Sequence, residues 1–178
     1  SYHPQWHRNV LQKILDVGRI KHLDLLPAEG NRVGPQDEVN MPLLEVTSDW
    51  IPVIGAEAGA HHYRFTGIKF FTAQENASGL VRFGYDNGER ADQFEKMNHH
   101  IIFDRVYITG TDSNHLRHGI VLEGMHMAVV DSHIDQMKDD GLSDAQAILV
   151  TNSPGPFKIA NNRLEATGEN FMSGGQQP

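Results

Sequence analysis

Residues 99–109, HHIIFDRVYIT, hold the reading that decides the fold. Apolar residues crowd both ends, and Asp104 and Arg105 interrupt them. The run is too short for a helix and rich in Ile, Val, Phe and Tyr, so it reads as strand. Similar runs occur at 61–71 (HHYRFTGIKFF), 118–122 (HGIVL), 126–135 (HMAVVDSHID), 146–151 (QAILVT) and 156–165 (PFKIANNRLE). Gly, Asn, Asp or Ser bounds each of them, and no helical segment separates them, which excludes βαβ units. The runs also resemble one another. Phe103-Asp104-Arg105-Val106-Tyr107-Ile108 lies beside Val130-Asp131-Ser132-His133-Ile134 with a one-residue gap, and Ile159–Leu164 repeats the pattern. With Phe70, Ile108, Ile134 and Leu164 taken as equivalent, the steps are 38, 26 and 30 residues. A loose repeat of this length, made of strands, predicts an all-β solenoid of the parallel β-helix type. Polar turn residues such as Asn161 and Asn162 are then expected to bond the backbone of adjacent coils.

Working outward, residues 27–59 carry Pro27, Pro35, Pro42 and Pro52 among four glycines, so only short strands fit, at 42–47 and 51–54. Residues 1–26 read as a helical or irregular segment: Val10, Ile14, Val17 and Lys21 share one stripe, with Leu11 and Leu15 beside it. The predicted division is therefore 1–26 and a β-helix domain over 27–178. After Leu164, EATGENFMSGG resembles the opening of another coil with no amphipathic helix to cover it. The expectation is an incomplete portion of a longer solenoid, capped by further coils, by self-association or by another chain.

The chain has 178 residues, enough for one domain with a core. Gly is 17 of 178, above the usual ~7%, as a turn-rich fold requires. A net charge of −8 argues against nucleic acid and anionic membranes. The absence of Cys removes disulfides, thiolate metal sites and Cys nucleophiles. No apolar run approaches the ~20 residues of a membrane-spanning helix. The sequence starts at Ser1 without a signal peptide, which reads as a processed chain or a fragment.

The stretches Ala58–Phe70 (AGAHHYRFTGIKF), His99–Gly110 (HHIIFDRVYITG), Gly119–Ile148 and Gly155–Asn170 (GPFKIANNRLEATGEN) resemble the uncharacterised secreted right-handed parallel β-helix proteins of bacteria, grouped with the pectate-lyase-like proteins. The resemblance spans roughly residues 23–175 and implies a right-handed β-helix in a secreted or periplasmic setting. It also implies activity on acidic polysaccharide as a lyase, epimerase or hydrolase. The R-x-P-x-x-R segment of true pectate lyases is missing here. In such enzymes Ca²⁺ held by carboxylates neutralises a uronic acid, and a Lys, Arg or His removes its C5 proton. Carried onto this chain, Asp139, Asp140 and Asp144 are the Ca²⁺ ligands, and Lys138, Arg163 and His133 are the catalytic candidates. The spacing is not that of an EF-hand loop, and Gly141 beside Asp139 and Asp140 equally suits a solvated acidic turn. A non-catalytic β-helix module for glycan binding or assembly is the alternative.

Eleven histidines include two adjacent pairs, His61-His62 and His99-His100, at the starts of similar strands. Adjacent coils would bring such pairs together for Zn²⁺. Strand alternation, however, predicts that one imidazole of each pair faces away from any shared site.

Overall fold

The computed structural model describes residues 27–28, 30–56, 59–86, 89–90, 93–139 and 144–174. Among these, 53% are strand and 7% helical, so the chain is all-β. The N-terminal helical reading, Asp140 and residues 175–178 lie outside the described residues.

Three parallel sheets carry the architecture. The first contains β1 (Leu43–Val46), β4 (Lys69–Thr72), β10 (Tyr107–Thr109), β14 (His133–Met137) and β17 (Arg163–Ala166). The second contains β2 (Ile54–Ala56), β6 (Val81–Phe83), β12 (His118–Leu122), β15 (Gln146–Val150) and β18 (Glu169–Ser173). The third contains β3 (His61–Thr66), β9 (Asn98–Asp104), β13 (Gly124–Val130) and β16 (Phe157–Ala160). A two-stranded parallel sheet joins β5 (Asn76–Ala77) to β11 (His115–Leu116), and β7 (Tyr85–Asp86) with β8 (Glu89–Arg90) forms an antiparallel hairpin. Within each large sheet the strands lie in chain order. The chain therefore visits the first, second and third sheets in turn and then returns to the first.

The internal repeat is visible in the register. Ile108 pairs with Phe70 and with Ile134, and Ile134 pairs with Leu164, so the steps of 38, 26 and 30 residues are strand partnerships. The repeat needs no gap, however. Phe103 aligns with Val129 and Asp104 with Val130, one residue earlier than the sequence comparison placed them. Four ten-residue segments then superimpose: HHYRFTGIKF (61–70), HHIIFDRVYI (99–108), MHMAVVDSHI (125–134) and GPFKIANNRL (155–164). Each turns from the third sheet into the first through two residues whose first is left-handed: Gly67 (φ 67°), Arg105 (φ 50°), Asp131 (φ 54°) and Asn161 (φ 54°). Gly, Asp and Asn tolerate this region at low cost, and Arg105 is the exception. Both nitrogens of its guanidinium fork, Nε and Nη2, bond Asp104, and Nη1 donates to the Pro27 carbonyl.

Polar turn residues do tie neighbouring passes together. Asn162 accepts the Ser132 N–H and donates to the Val129 carbonyl at 2.9 and 2.8 Å. Asn161 bonds Asp131 Oδ1 and the Gly30 carbonyl instead. That second contact holds a crossing segment in place, together with Val33 N–H to Asp131 O and Lys69 N–H to Pro42 O. Its Val33 and Met41 are buried.

The core lies between the three sheets. Phe65, Phe70, Phe83 and Phe103 meet at its centre, with the Phe65 and Phe103 rings stacked at 5.1 Å and Phe83 edge-on to both. Ile134, Ile148 and Val150 are buried, whereas Val130, Phe157, Ile159 and Leu164 are only half-buried. The last three belong to β16 and β17, each with a strand partner on one side only. Phe103 belongs to the third sheet and Ile108 to the first, because the Arg105–Val106 turn separates them.

Candidate functional site

His133 and Arg163 are register partners in the first sheet, in the row Lys69–Tyr107–His133–Arg163. His133 is only 1% exposed, and its ring stacks on Tyr107 at 5.1 Å. Its Nε2 lies 3.2 Å from Asp135 Oδ2 but off the hydrogen-bonding direction, and its Nδ1 has no partner among the described residues. Burial holds His133 below the usual imidazole range, against the nearby Asp135 carboxylate. Tyr107 donates to Asp135, and burial pushes its phenol up to about 12. Arg163 is exposed, 4.0 Å from Glu165, and Lys138 bonds Gln136 Oε1 at 3.1 Å. Of the Ca²⁺ candidates, Asp139 is half-buried and acts electrostatically on His118, while Asp144 is exposed. Asp140 lies outside the described residues.

The histidine pairs behave differently from the alternation expectation. His62 (φ 60°) and His100 (φ 56°) are left-handed, as is His126 (φ 52°) in the equivalent position of β13. A left-handed residue inside a strand breaks the alternation and returns its side chain to the side of its predecessor. Both imidazoles of each pair therefore meet on one face, with Nδ1···Nδ1 separations of 2.8 Å in each pair. Within a pair the rings are nearly perpendicular, at 88° and 84°. Between strands they stack: His61 on His99 at 4.8 Å, His62 on His100 at 4.7 Å, both within 3° of parallel. His126 continues the second column on His100 at 4.8 Å and 21°. Met125 occupies the place where the first column would continue.

The stacking distance is the strand spacing itself, ~4.7–4.9 Å. Two columns of imidazoles thus follow from strand register plus one left-handed residue per strand. His126 was missed by the sequence reading, although the gapless alignment places it directly beneath His100. Partial desolvation and the neighbouring imidazoles lower the pKa of His99 and His100, because each added proton repels the next. A ring nitrogen binds metal in its neutral form, which both effects favour. The ligand nitrogens of His62, His99 and His100 all lie within 4.8 Å of one another.

On the same strands, Arg64, Ile102, Ala128 and Lys158 form the row that alternates with the buried Phe65–Phe103 row, with a basic residue at each end. No helix among the described residues is long and apolar enough to cross a membrane. Compared with known proteins, the chain matches no family model, no curated protein and no solved structure.

Proposed function

We propose that the chain is a right-handed parallel β-helix serving as a non-catalytic module that binds acidic polysaccharide on its histidine-bearing face. One observation carries the reading: five imidazoles stand in two columns at strand spacing on one face, a periodic row of donors suited to a periodic polymer. Lys158 adds a cation to that face, where Arg64 is paired with the Asp104 carboxylate. The net charge of −8 repels a polyanion at a distance, so contact depends on this local group and strengthens as the imidazoles gain protons. The cyclic order of parallel strands supports the β-helix reading. The family resemblance supports its right hand, the secreted or periplasmic setting and the acidic glycan.

The second reading is a lyase, epimerase or hydrolase using His133, Lys138 and Arg163, with Ca²⁺ on Asp139, Asp140 and Asp144. It is favoured by the perturbed Tyr107 and His133, since shifted groups cluster at functional sites. The burial of His133 weighs against it, because a base must reach the proton it abstracts.

Affinity electrophoresis on a panel of uronans at pH 5.5 and 7.5, paired with ultraviolet absorbance of unsaturated uronide with and without Ca²⁺, tests both. Retardation that grows at pH 5.5 without new absorbance supports the module. Absence of retardation on every uronan overturns it, and a Ca²⁺-dependent absorbance rise puts the enzyme first.

A further inference from the structure

We propose that the histidine array is a binding site for one divalent transition-metal ion of the Zn²⁺, Ni²⁺ or Cu²⁺ class, held by His99, His100 and His62. The inference uses the same face as the glycan reading but stands independently of it, because metal and polymer are assayed separately.

The geometry comes first. In the His99–His100 pair, the two Nδ1 atoms are 2.8 Å apart and point at each other. One must carry the hydrogen and the other the lone pair. A tetrahedral ion with ~2.0–2.1 Å bonds sets its ligand nitrogens roughly 3.3–3.4 Å apart. The pair therefore needs to open by only about half an ångström, within reach of a small side-chain rotation. His62 supplies the third nitrogen within 4.8 Å; its ring is stacked on that of His100, so it must turn for its in-plane lone pair to reach the same ion. Water completes the shell.

The chemistry of the donors selects the ion. All three are imidazoles, which suit Zn²⁺, Cu²⁺ and Ni²⁺ rather than the oxygen-seeking Ca²⁺ and Mg²⁺. No thiolate competes, because the chain has no Cys. The proton balance is simple. The ring that carries its hydrogen on Nδ1 changes tautomer to Nε2–H, so two neutral rings bind the ion without net proton release.

The backbone supplies a further reason to regard the array as more than a chance contact. Three residues in three successive strands of the third sheet hold the same left-handed conformation, and all three are histidine. Non-glycine residues rarely adopt that region, and strain held in place by surrounding structure gathers at ligand sites.

The test is titration of the full chain with ZnCl₂ and NiCl₂ by calorimetry at pH 7.5. Visible absorption of the Co²⁺-loaded protein provides an independent record of coordination. Wild type is expected to bind one ion in this site, with d–d bands of tetrahedral intensity from nitrogen ligands, reversed by a chelator. His99→Gln and His100→Gln are each expected to weaken binding at least tenfold and abolish those bands, while His115→Gln leaves both unchanged. All three variants should keep the wild-type far-UV spectrum, since the array is largely exposed. The proposal is overturned if wild type shows no saturable binding. It is equally overturned if His99→Gln and His100→Gln bind as tightly as wild type, which would move the ion to other histidines. Uronan retardation in chelator-treated buffer reports on the glycan reading alone, so the two failures are distinguishable.

Discussion

His62 and His100 lie on adjacent strands with rings 4.7 Å apart and 3° from parallel, and both have left-handed backbone. The two facts are one: equal backbone departures at register-equivalent positions aim two imidazoles along the same line. Placing a β-branched residue there should be costly, since Cβ branching crowds the left-handed region. His100→Val is expected to lose about 1–3 kcal/mol of unfolding free energy. His100→Gly, which relaxes the backbone but adds unfolded-state entropy, should stay within roughly 1 kcal/mol of wild type. Equal losses for the two in urea titrations would show that φ at this position is not what matters.

Asn162 joins two passes of the chain through one side chain, and Asn162→Ala should remove its bonds to the Ser132 N–H and the Val129 carbonyl. The expected cost is about 1–3 kcal/mol. Amide exchange at Ser132 should accelerate more than exchange in β12. Unchanged protection at Ser132 would mean that the bond contributes nothing to holding the turn.

Phe103 and Ile159 occupy one row of the third sheet, yet only Phe103 has strands on both sides and full burial. Phe103→Ala removes a ring in contact with Phe65, Phe70 and Phe83 and should cost ~3–5 kcal/mol. Ile159→Ala, half-exposed on β16, should stay below ~2 kcal/mol. Chemical denaturation of both variants checks the order, and a reversal would contradict the placement of the core.

Gly119 allows β12 to approach β15 closely. A Cβ there would lie 2.5 Å from the Ala147 carbonyl oxygen and 2.5 Å from Ile134 Cγ2. Backbone cannot yield as a side-chain tip can. Gly119→Ala is therefore expected to destabilise by ~1–3 kcal/mol despite being the smallest possible addition. Wild-type melting behaviour in this variant would show that the two strands separate more easily than their register suggests.

His118 links stability to pH. Burial, reinforced by Arg117 and Arg82 and opposed by Gln146 and Asp139, pushes it down to about 4 from 6.5. The folded state thus binds a proton less readily than the unfolded chain, and unfolding takes up a proton between pH 4 and 6.5. The contribution is level above pH 6.5 and is lost as pH falls through that window, by at most about 3 kcal/mol. His118→Gln should lose less stability than wild type between pH 7.5 and pH 4.5. Parallel urea midpoints for the two proteins across that range would refute the assignment.

The all-β class and the 38-, 26- and 30-residue steps were readable from the chain, whereas the break read at Asp104–Arg105 lies one residue later, at Arg105–Val106. Each rests on a local signal: β-branched and aromatic runs, Gly67, Asp131 and Asn161 at the turns, and repetition of those signals. What the sequence hid was the one-residue offset that makes the repeat gapless. Phe103 and Val130 look alike as apolar residues before a turn, and only hydrogen-bonded register distinguishes Val129 as the true partner.

The site was less legible. His133 entered as a catalytic candidate through the family resemblance, and nothing in the residues around it signals burial. Its burial is a sum over atoms from Tyr107, Asp135 and more distant segments, and no local pattern carries that sum. The histidine pairs were visible, but alternation assigned their rings to opposite faces. A single backbone torsion per strand reverses that assignment, and the rings it aligns stack against partners 38 and 26 residues away. The sequence by itself therefore determined the strands, the turns and the presence of the imidazoles. The tertiary structure decided which way those imidazoles point, because side-chain direction at a strained residue depends on long-range packing.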